Sequence, residues 1–285
     1  MSGAKGFAGR MLSPILQRGS GRTLIVAGFV IVVAVVTMSV TAPLWTRVNP
    51  VYSSGLPNTP PSPRHPLGTD IYGRDMLSRI LYGGQFLLVV GIAAVAICMA
   101  VGVPVGLASA YRGGAVDRII TLVMDSIYAF PSLVFSLLIV IIFGANLVDY
   151  ALAIAVVYIP SYFRVVRSQT LSVKQLPYVD AARSVGAGFT SVLRKYIWPS
   201  VIPSVVVVVT INFADAILIT AGLDFIGVGD LLKPDWGVDL YYGRQTLLAG
   251  DWWTIAFSGA MILLTVLGFS LISEGYAERT NPKLR

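Results

Sequence analysis

Cysteine and histidine are almost missing from these 285 residues, with one of each, Cys98 and His65. A disulfide within the chain is excluded, and so is a metal site built on paired thiolates or several histidines. A Ser-His-Asp or Cys-His arrangement would have only His65 to draw on. For His65 itself a metal-ligand or proton-donor role lacks a second ligand in view, which favours a solvated or capping role. No lysine follows a glycine: Lys5, Lys174, Lys195, Lys233 and Lys283 come after Ala, Val, Arg, Leu and Pro. The phosphate cradle Gly-Lys-Ser/Thr is therefore absent, and any ATP used by this protein is hydrolysed on another chain. Charge is also scarce, at 12% Asp, Glu, Lys and Arg, about half the ~25% of a soluble domain.

What fills the chain is apolar: 55% of residues are hydrophobic and the mean hydropathy is +0.76. The solvent implied is a lipid bilayer. A net charge of +7 would suggest nucleic acid in a soluble protein, but here the basic residues sit between apolar runs, where they orient a membrane protein. No nucleic-acid partner is expected. Six runs are long enough for spans: Thr23–Leu44, Phe86–Ala110, Ile119–Phe143, Tyr150–Thr170, Ser200–Leu223 and Trp252–Ile272. At 1.5 Å per residue each crosses most or all of the ~30 Å hydrocarbon layer. The first run exceeds the 7–15 residues of a signal-peptide core and reads as a retained helix. Gly91, Gly102 and Gly106 in the second allow close helix contacts. The fold class expected is all-α, a polytopic protein of six transmembrane helices. Its segments are 1–22, basic; 23–85, the first span with an outer excursion; 86–275, the core; and 276–285, the tail. With both termini, the turn at 111–118 and the polar loop near 171–199, together with Arg164 and Arg167 just before that loop, on one side, fifteen of the 21 Lys and Arg fall there. Basic residues are retained in the cytoplasm, so that side, termini included, is expected to be cytoplasmic.

Two polar stretches stand out. In the first excursion Asn49–Pro66 is rich in Pro, Ser and Asn and reads as an extended loop without a core of its own. In the following HPLGTDIYGRDMLSRILYGGQ, residues 65–85, Met76, Leu77, Ile80 and Leu81 recur at helical spacing opposite Arg74, Asp75, Ser78 and Arg79. That pattern predicts an amphipathic helix lying at the interface. The second stretch, Tyr178–Pro203, reads YVDAARSVGAGFTSVLRKYIWPSVIP. Residues 180–185 favour a short helix, Gly186 and Gly188 permit a tight or left-handed turn, and a second short helix follows from Phe189 to Tyr196. Pro199 suits the first turn of the next span. Taken alone, this is a helix-turn-helix outside the bilayer, and a loop merely lying on the membrane surface has the same pattern.

Asp180-Ala181-Ala182, with Gly186 four positions on and Ile197-Trp198-Pro199 closing the stretch, resembles the EAA loop of ABC importer permeases. Asp180 stands where Glu is usual, and Trp198 where Leu usually precedes the proline. Residues 65–85 resemble the HPLGTD-GRD-LSR segment of the C-type permease of dipeptide and oligopeptide importers, and Gly222–Gly237, GLDFIGVGDLLKPDWG, is similar to that family's LSFLGLG-QPP-WG segment. The resemblance implies a type I ABC importer permease fold and a transport subunit without catalytic residues or a metal. No cofactor is expected in this chain, with ATP and Mg on partner ATPases. The partners implied are a B-type permease, two ATP-binding subunits and an extracytoplasmic peptide-binding protein. Asp180, Ala181, Ala182, Arg183, Gly186 and Pro199 would couple the chain to an ATPase, with Asp180 capping the helix or meeting ATPase basic residues. Asp224, Gly227, Gly229 and Trp236 would lie near the docked binding protein, although an interfacial belt formed by Trp236, Tyr241, Tyr242, Trp252 and Trp253 explains the same aromatics.

Acids inside spans are costly and suggest a pathway. Asp215 and Asp224 are nine residues apart, about two and a half turns, and face opposite sides of a straight helix. Asp215 is the candidate for the translocation surface. Asp125, near the cytoplasmic end of its span, suits capping, snorkelling or pairing. Nickel or glutathione importers of the same superfamily share these motifs. An ion-driven secondary transporter would need an inverted repeat and a midplane site, and a membrane enzyme would need a nucleophile within reach of a base.

Overall fold

A computed structural model describes residues 20–46 and 48–280. The expected basic N-terminal segment up to residue 19, Arg47, and the end of the tail with Lys283 and Arg285 lie outside the described residues. Among those described, regular structure is helical apart from two isolated bridges, Ser53 with Arg74 and Thr69 with Asp75. The order is α1 (Ser20–Val40), α2 (Ala42–Trp45), α3 (Met76–Arg112), α4 (Gly114–Tyr128), α5 (Ser132–Phe143), α6 (Leu147–Val173), α7 (Pro177–Ser184), α8 (Phe189–Val192), a π turn (Leu193–Ile197), α9 (Trp198–Ile226), α10 (Trp236–Thr246), a 3-10 turn (Leu247–Ala249) and α11 (Trp253–Thr280).

Five helical runs are long and apolar enough to span a membrane: α1, α3, α6, Phe189–Ile226 and α11. The third expected span is broken, with α4 and α5 meeting at 88°. Pro131 causes the break. It lacks an N–H and biases Phe130 away from helical backbone, and Phe130 stacks on Phe135 across the corner, centroids 5.2 Å apart. The pair still crosses as a unit. α3 and α6 run parallel, because Phe86 meets Tyr150 near their starts, Cys98 Sγ meets the Ala155 carbonyl at 3.5 Å, and Lys174 bonds the Ala110 carbonyl near their ends. The chain must return between them, and only α4–α5 does so.

The pairings of α9 with α11 and of α1 with α11 are antiparallel. Phe213 and Ser273–Val207 tie α9 to α11, and Gly21 and Gly28 of α1 lie against Gly275 and Gly268 of α11. A methyl added at Gly28 would overlap the Gly268 carbonyl, and in lipid such small-residue seams let backbones approach closely. Gly102 and Gly106 do the same for α3 on α6, where they face Tyr162, Phe163 and Val166. By these directions the ends at Ser20, Arg112 and Thr280 and the loop Pro177–Ile197 share one face.

On the opposite face the structure corrects two expectations. No separate interfacial helix exists, since Met76 begins the 37-residue α3. Its polar residues are not turned to solvent: Arg74, Asp75, Ser78 and Arg79 are all buried. They are satisfied by a folded excursion rather than by water. Residues 49–75 are knitted by backbone bonds such as Asn58 N–H to Asp70 O at 2.9 Å and Thr69 N–H to Thr59 O at 2.9 Å. His65 is likewise buried rather than solvated, its Nδ1 2.9 Å from Asp75 Oδ1. The other Asp75 oxygen caps α3 through Ser78 N–H at 2.8 Å. Arg74 pairs with Asp70, and Arg79, fully buried, donates to Asp239 and to the Pro50 and Lys233 carbonyls at 3.1 Å each.

Candidate functional site

The loop Pro177–Ile197 is packed on its inner face and bare on its outer one. Pro177 opens α7 at a position where its missing N–H costs nothing. Val179, Ala182, Val192 and Ile197 are buried, and Val179, Val192 and Ile197 lie in a cluster with Tyr162, Val166 and Val173 of α6 and Val201 and Val205 of α9. Tyr111, at the end of α3, meets the Phe189 ring at 5.0 Å and lies under Arg183. The loop is thereby packed against α3, α6 and α9.

α7 ends in a Schellman motif. Ala187 N–H bonds Ala182 O at 3.0 Å and Gly186 N–H bonds Arg183 O at 2.9 Å, with Gly186 in the left-handed region at φ 86°. The bare face carries Asp180, Ala181, Ser184, Val185 and Gly186, and Val185 is 84% exposed. Asp180 is not the helix cap. Leu176 holds that position, and Asp180 sits one turn inside, 3.5 Å from Arg183. Pro199 stands as expected in the first turn of α9, which begins at Trp198, and α8 runs into α9 through the π turn Leu193–Ile197. The sequence signalled this helix start through Pro199 and gave no signal for the π turn before it.

Asp215 lines a cavity of about 410 Å³ with Tyr128, Phe130, Ser132, Val157 and Tyr158. It is half-buried and has no basic partner among the described residues. Asp224, nine residues on, points elsewhere: it is buried and accepts a hydrogen bond from Tyr150 of α6. Ser109, Asp117 and Arg167 form a second polar knot at the opposite end of α6, where Arg167 grips both Asp117 oxygens at 2.8 and 2.6 Å.

The residues expected near a docked protein are drawn inside. Trp236 has no exposed surface; its indole N–H bonds the Ile80 carbonyl at 2.9 Å and its ring lies on Gly83 and Gly84. Trp253 is buried as well, bonded to Thr69 O at 3.0 Å. Of the proposed belt, Trp252 remains exposed. Glycine is needed at Gly229 because the Asp224 carboxylate fills the space a side chain would take. Gly227, at φ 97°, ends α9.

Asp235 caps α10 through Gly237 N–H at 2.7 Å and is 2% exposed. Its other oxygen finds no donor among the described residues. Burial, with the Asp224 carboxylate beside it, pushes its carboxyl well above the ordinary 3.8. The native chain thus holds a proton that the unfolded chain has released, and this group's stabilisation is complete at low pH and is lost as pH rises from 3.8 towards the native value. Asn at this position keeps the cap and cannot ionise. Thermal unfolding in detergent is expected to show Asp235→Asn gaining on the parent as pH rises, and a gap that is constant or shrinking would refute the protonated state.

The family model described as "Binding-protein-dependent transport system inner membrane component" matches residues 102–285. A dipeptide transport system permease protein of Alkalihalophilus pseudofirmus is 34% identical, over 92% of this chain and 86% of that one. A probable D,D-dipeptide transport system permease protein of Escherichia coli is 37% identical, over 92% and 89%. A glutathione transport system permease protein of Pectobacterium atrosepticum is 37% identical, over 80% and 76%. Matched by that model over most of its length and related to these permeases, this chain belongs to the family of binding-protein-dependent transport system inner membrane components.

Proposed function

We propose that the chain is the C-type permease subunit of an ATP-driven importer of dipeptides or oligopeptides. It forms half of the translocation path, a B-type permease supplies the other half, and two ATP-binding subunits drive it. The observation that carries this reading is the lever: an inner face packed on three spans and an outer face with an exposed Val185. Closure of the ATPases would move α7 and, through Val179, Ala182 and Tyr111, shift the bundle between two packings. Asp180, Ala181 and Gly186 lie on the contact face, Arg183 pairs with Asp180 beside it, Ala182 is the anchor, and Pro199 follows the π turn that hands motion to α9. The lever face and both termini are cytoplasmic, in keeping with the charge bias.

Asp215, with its open cavity, is assigned to the path wall. The binding protein is proposed to dock on the tip shaped by Gly227 and Gly229, where Asp230, Leu232 and Lys233 are exposed, and not on the buried Asp224 or Trp236. The similarity to glutathione permeases makes glutathione the second substrate to try. Solubilising the chain from its own membrane and identifying its companions tests the reading. Recovery of a second permease and P-loop ATPases is expected, and ATP-independent transport by the chain alone would reject it in favour of a secondary transporter. Competition of uptake by dipeptides, glutathione and nickel then ranks the substrates.

A further inference from the structure

Asp125 of α4 and Arg164 of α6 form an ion pair in an unusual place. Arg164 Nη2 is 2.8 Å from Asp125 Oδ1, and the side chains are 51% and 56% exposed. Arg164 lies nine residues before the end of α6 and Asp125 eleven after the start of α4, so each is about 14–16 Å along its helix from the lever-side end. At that depth an exposed pair cannot face hydrocarbon and belongs beside water.

Two arginines on α6 differ in commitment. Arg167, one turn further on, is held by both oxygens of Asp117. Arg164 gives one bond to Asp125 and stacks on the Tyr128 ring at 4.2 Å, which leaves most of its five donors unused. The adjoining cavity of about 710 Å³ is lined by Asp117, Arg118, Asp125, Ser126 and Arg167; Asp117 is taken up by Arg167 and Asp125 by Arg164, and Arg118 has no acid partner among the described residues. The surroundings therefore favour an anion. Tyr128, the ring on which Arg164 stacks, also lines the Asp215 cavity, so one side chain joins the two sites, with Arg164 nearer the loop Pro177–Ile197.

We propose that Arg164 is an exchangeable carboxylate site on the wall of the translocation path. Asp125 holds the guanidinium while the path is empty, and a carboxylate of the passing peptide replaces it. The exchange forms no covalent bond. It swaps one charge-assisted hydrogen bond for another, and the fork geometry suits a carboxylate. Tyr128 keeps the guanidinium plane in place during the swap. This rests on the importer reading above.

The test uses the whole complex in membrane vesicles with its binding protein, and radiolabelled dialanine as substrate. Arg164→Gln is expected to lower uptake on the order of tenfold, with Arg164→Lys retaining much of it, as for loss and retention of one charge in a partly desolvated site. The ATPases should co-purify with each variant as with the parent. A second readout does not depend on transport. With Ser126→Cys, a thiol reagent bearing a sulfonate should label faster than one bearing a trimethylammonium group, and Arg164→Gln should abolish that preference. Unchanged uptake in a fully assembled Arg164→Gln complex would overturn the proposal, as would labelling of Cys at 126 by lipid-soluble maleimide alone. If both Arg164 variants lost the ATPases and no anion preference existed, the pair would be structural and the proposal refuted. A parent chain that brings no ATPases with it would instead sink the importer reading itself.

Discussion

Replacing Arg79 with Leu is expected to remove the folded outer cap, because it leaves Asp239 as a buried charge without its counterion. Both side chains are fully buried, and Arg79 also satisfies the carbonyls of Pro50 and Lys233. One side chain therefore joins the first excursion, the start of α3 and the second excursion. Breaking one half of such a pair costs about 3–5 kcal/mol, a large share of a total stability of roughly 5–15 kcal/mol. Asp239 is already pushed upward by burial, with Arg79 opposing the shift, so without Arg79 it would take up a proton at the cost of the fold. Asp70, Arg74, Arg79 and Asp239 balance two against two, which means that a single change unbalances all four. Unfolding of the detergent-solubilised chain should show a large loss for Arg79→Leu and recovery of much of it in Arg79→Leu/Asp239→Leu. Equal loss in the single and double variants would show that the carbonyl contacts, and not the charge pair, hold the cap.

The second large effect concerns transmission. Gly186 stands in the left-handed region and, beyond its chain neighbours, nothing among the described residues lies within 4 Å of a side chain placed there, so a substitution acts through backbone conformation. Val, branched at Cβ, pays roughly 1–2 kcal/mol in that region, enough to unwind the Schellman turn and displace Val185. Asn tolerates it better. Gly186→Val is expected to leave the membrane bundle and its melting temperature intact while cutting uptake per ATP hydrolysed by an order of magnitude or more, with Gly186→Asn close to the parent. Similar coupling in both variants would mean that the turn has no part in transmission.

The spans, their order and the polar loop before α9 were legible because hydrophobic length and a polar interruption are one-dimensional signals. The direction of residues 65–85 was not. Helical spacing separated Met76 and Ile80 from Ser78 and Arg79 correctly, but it cannot tell a polar face wetted by solvent from one buried against a distant partner, and Asp239 is 160 residues away. Trp236 misled for the same reason: a tryptophan near a membrane boundary reads as an anchor, and only the Gly83–Gly84 slot and the Ile80 carbonyl make it core. The break at Pro131 was visible as a proline, yet its 88° angle depends on what α4 and α5 pack against. Opposite facing of Asp215 and Asp224 followed from helix geometry, and their different surroundings agree with it.

Cross-linking from the lever tip tests the account most directly. The native cysteine, Cys98, is buried between α3 and α6, so Val185→Cys provides the accessible thiol among the described residues. In native membranes a short bifunctional thiol reagent is expected to join this position to an ATP-binding subunit, with a yield that changes when ATP is added. Absence of that adduct, with the Cys at 185 freely labelled by water-soluble maleimide whether or not ATP is present, would contradict a lever seated in an ATPase.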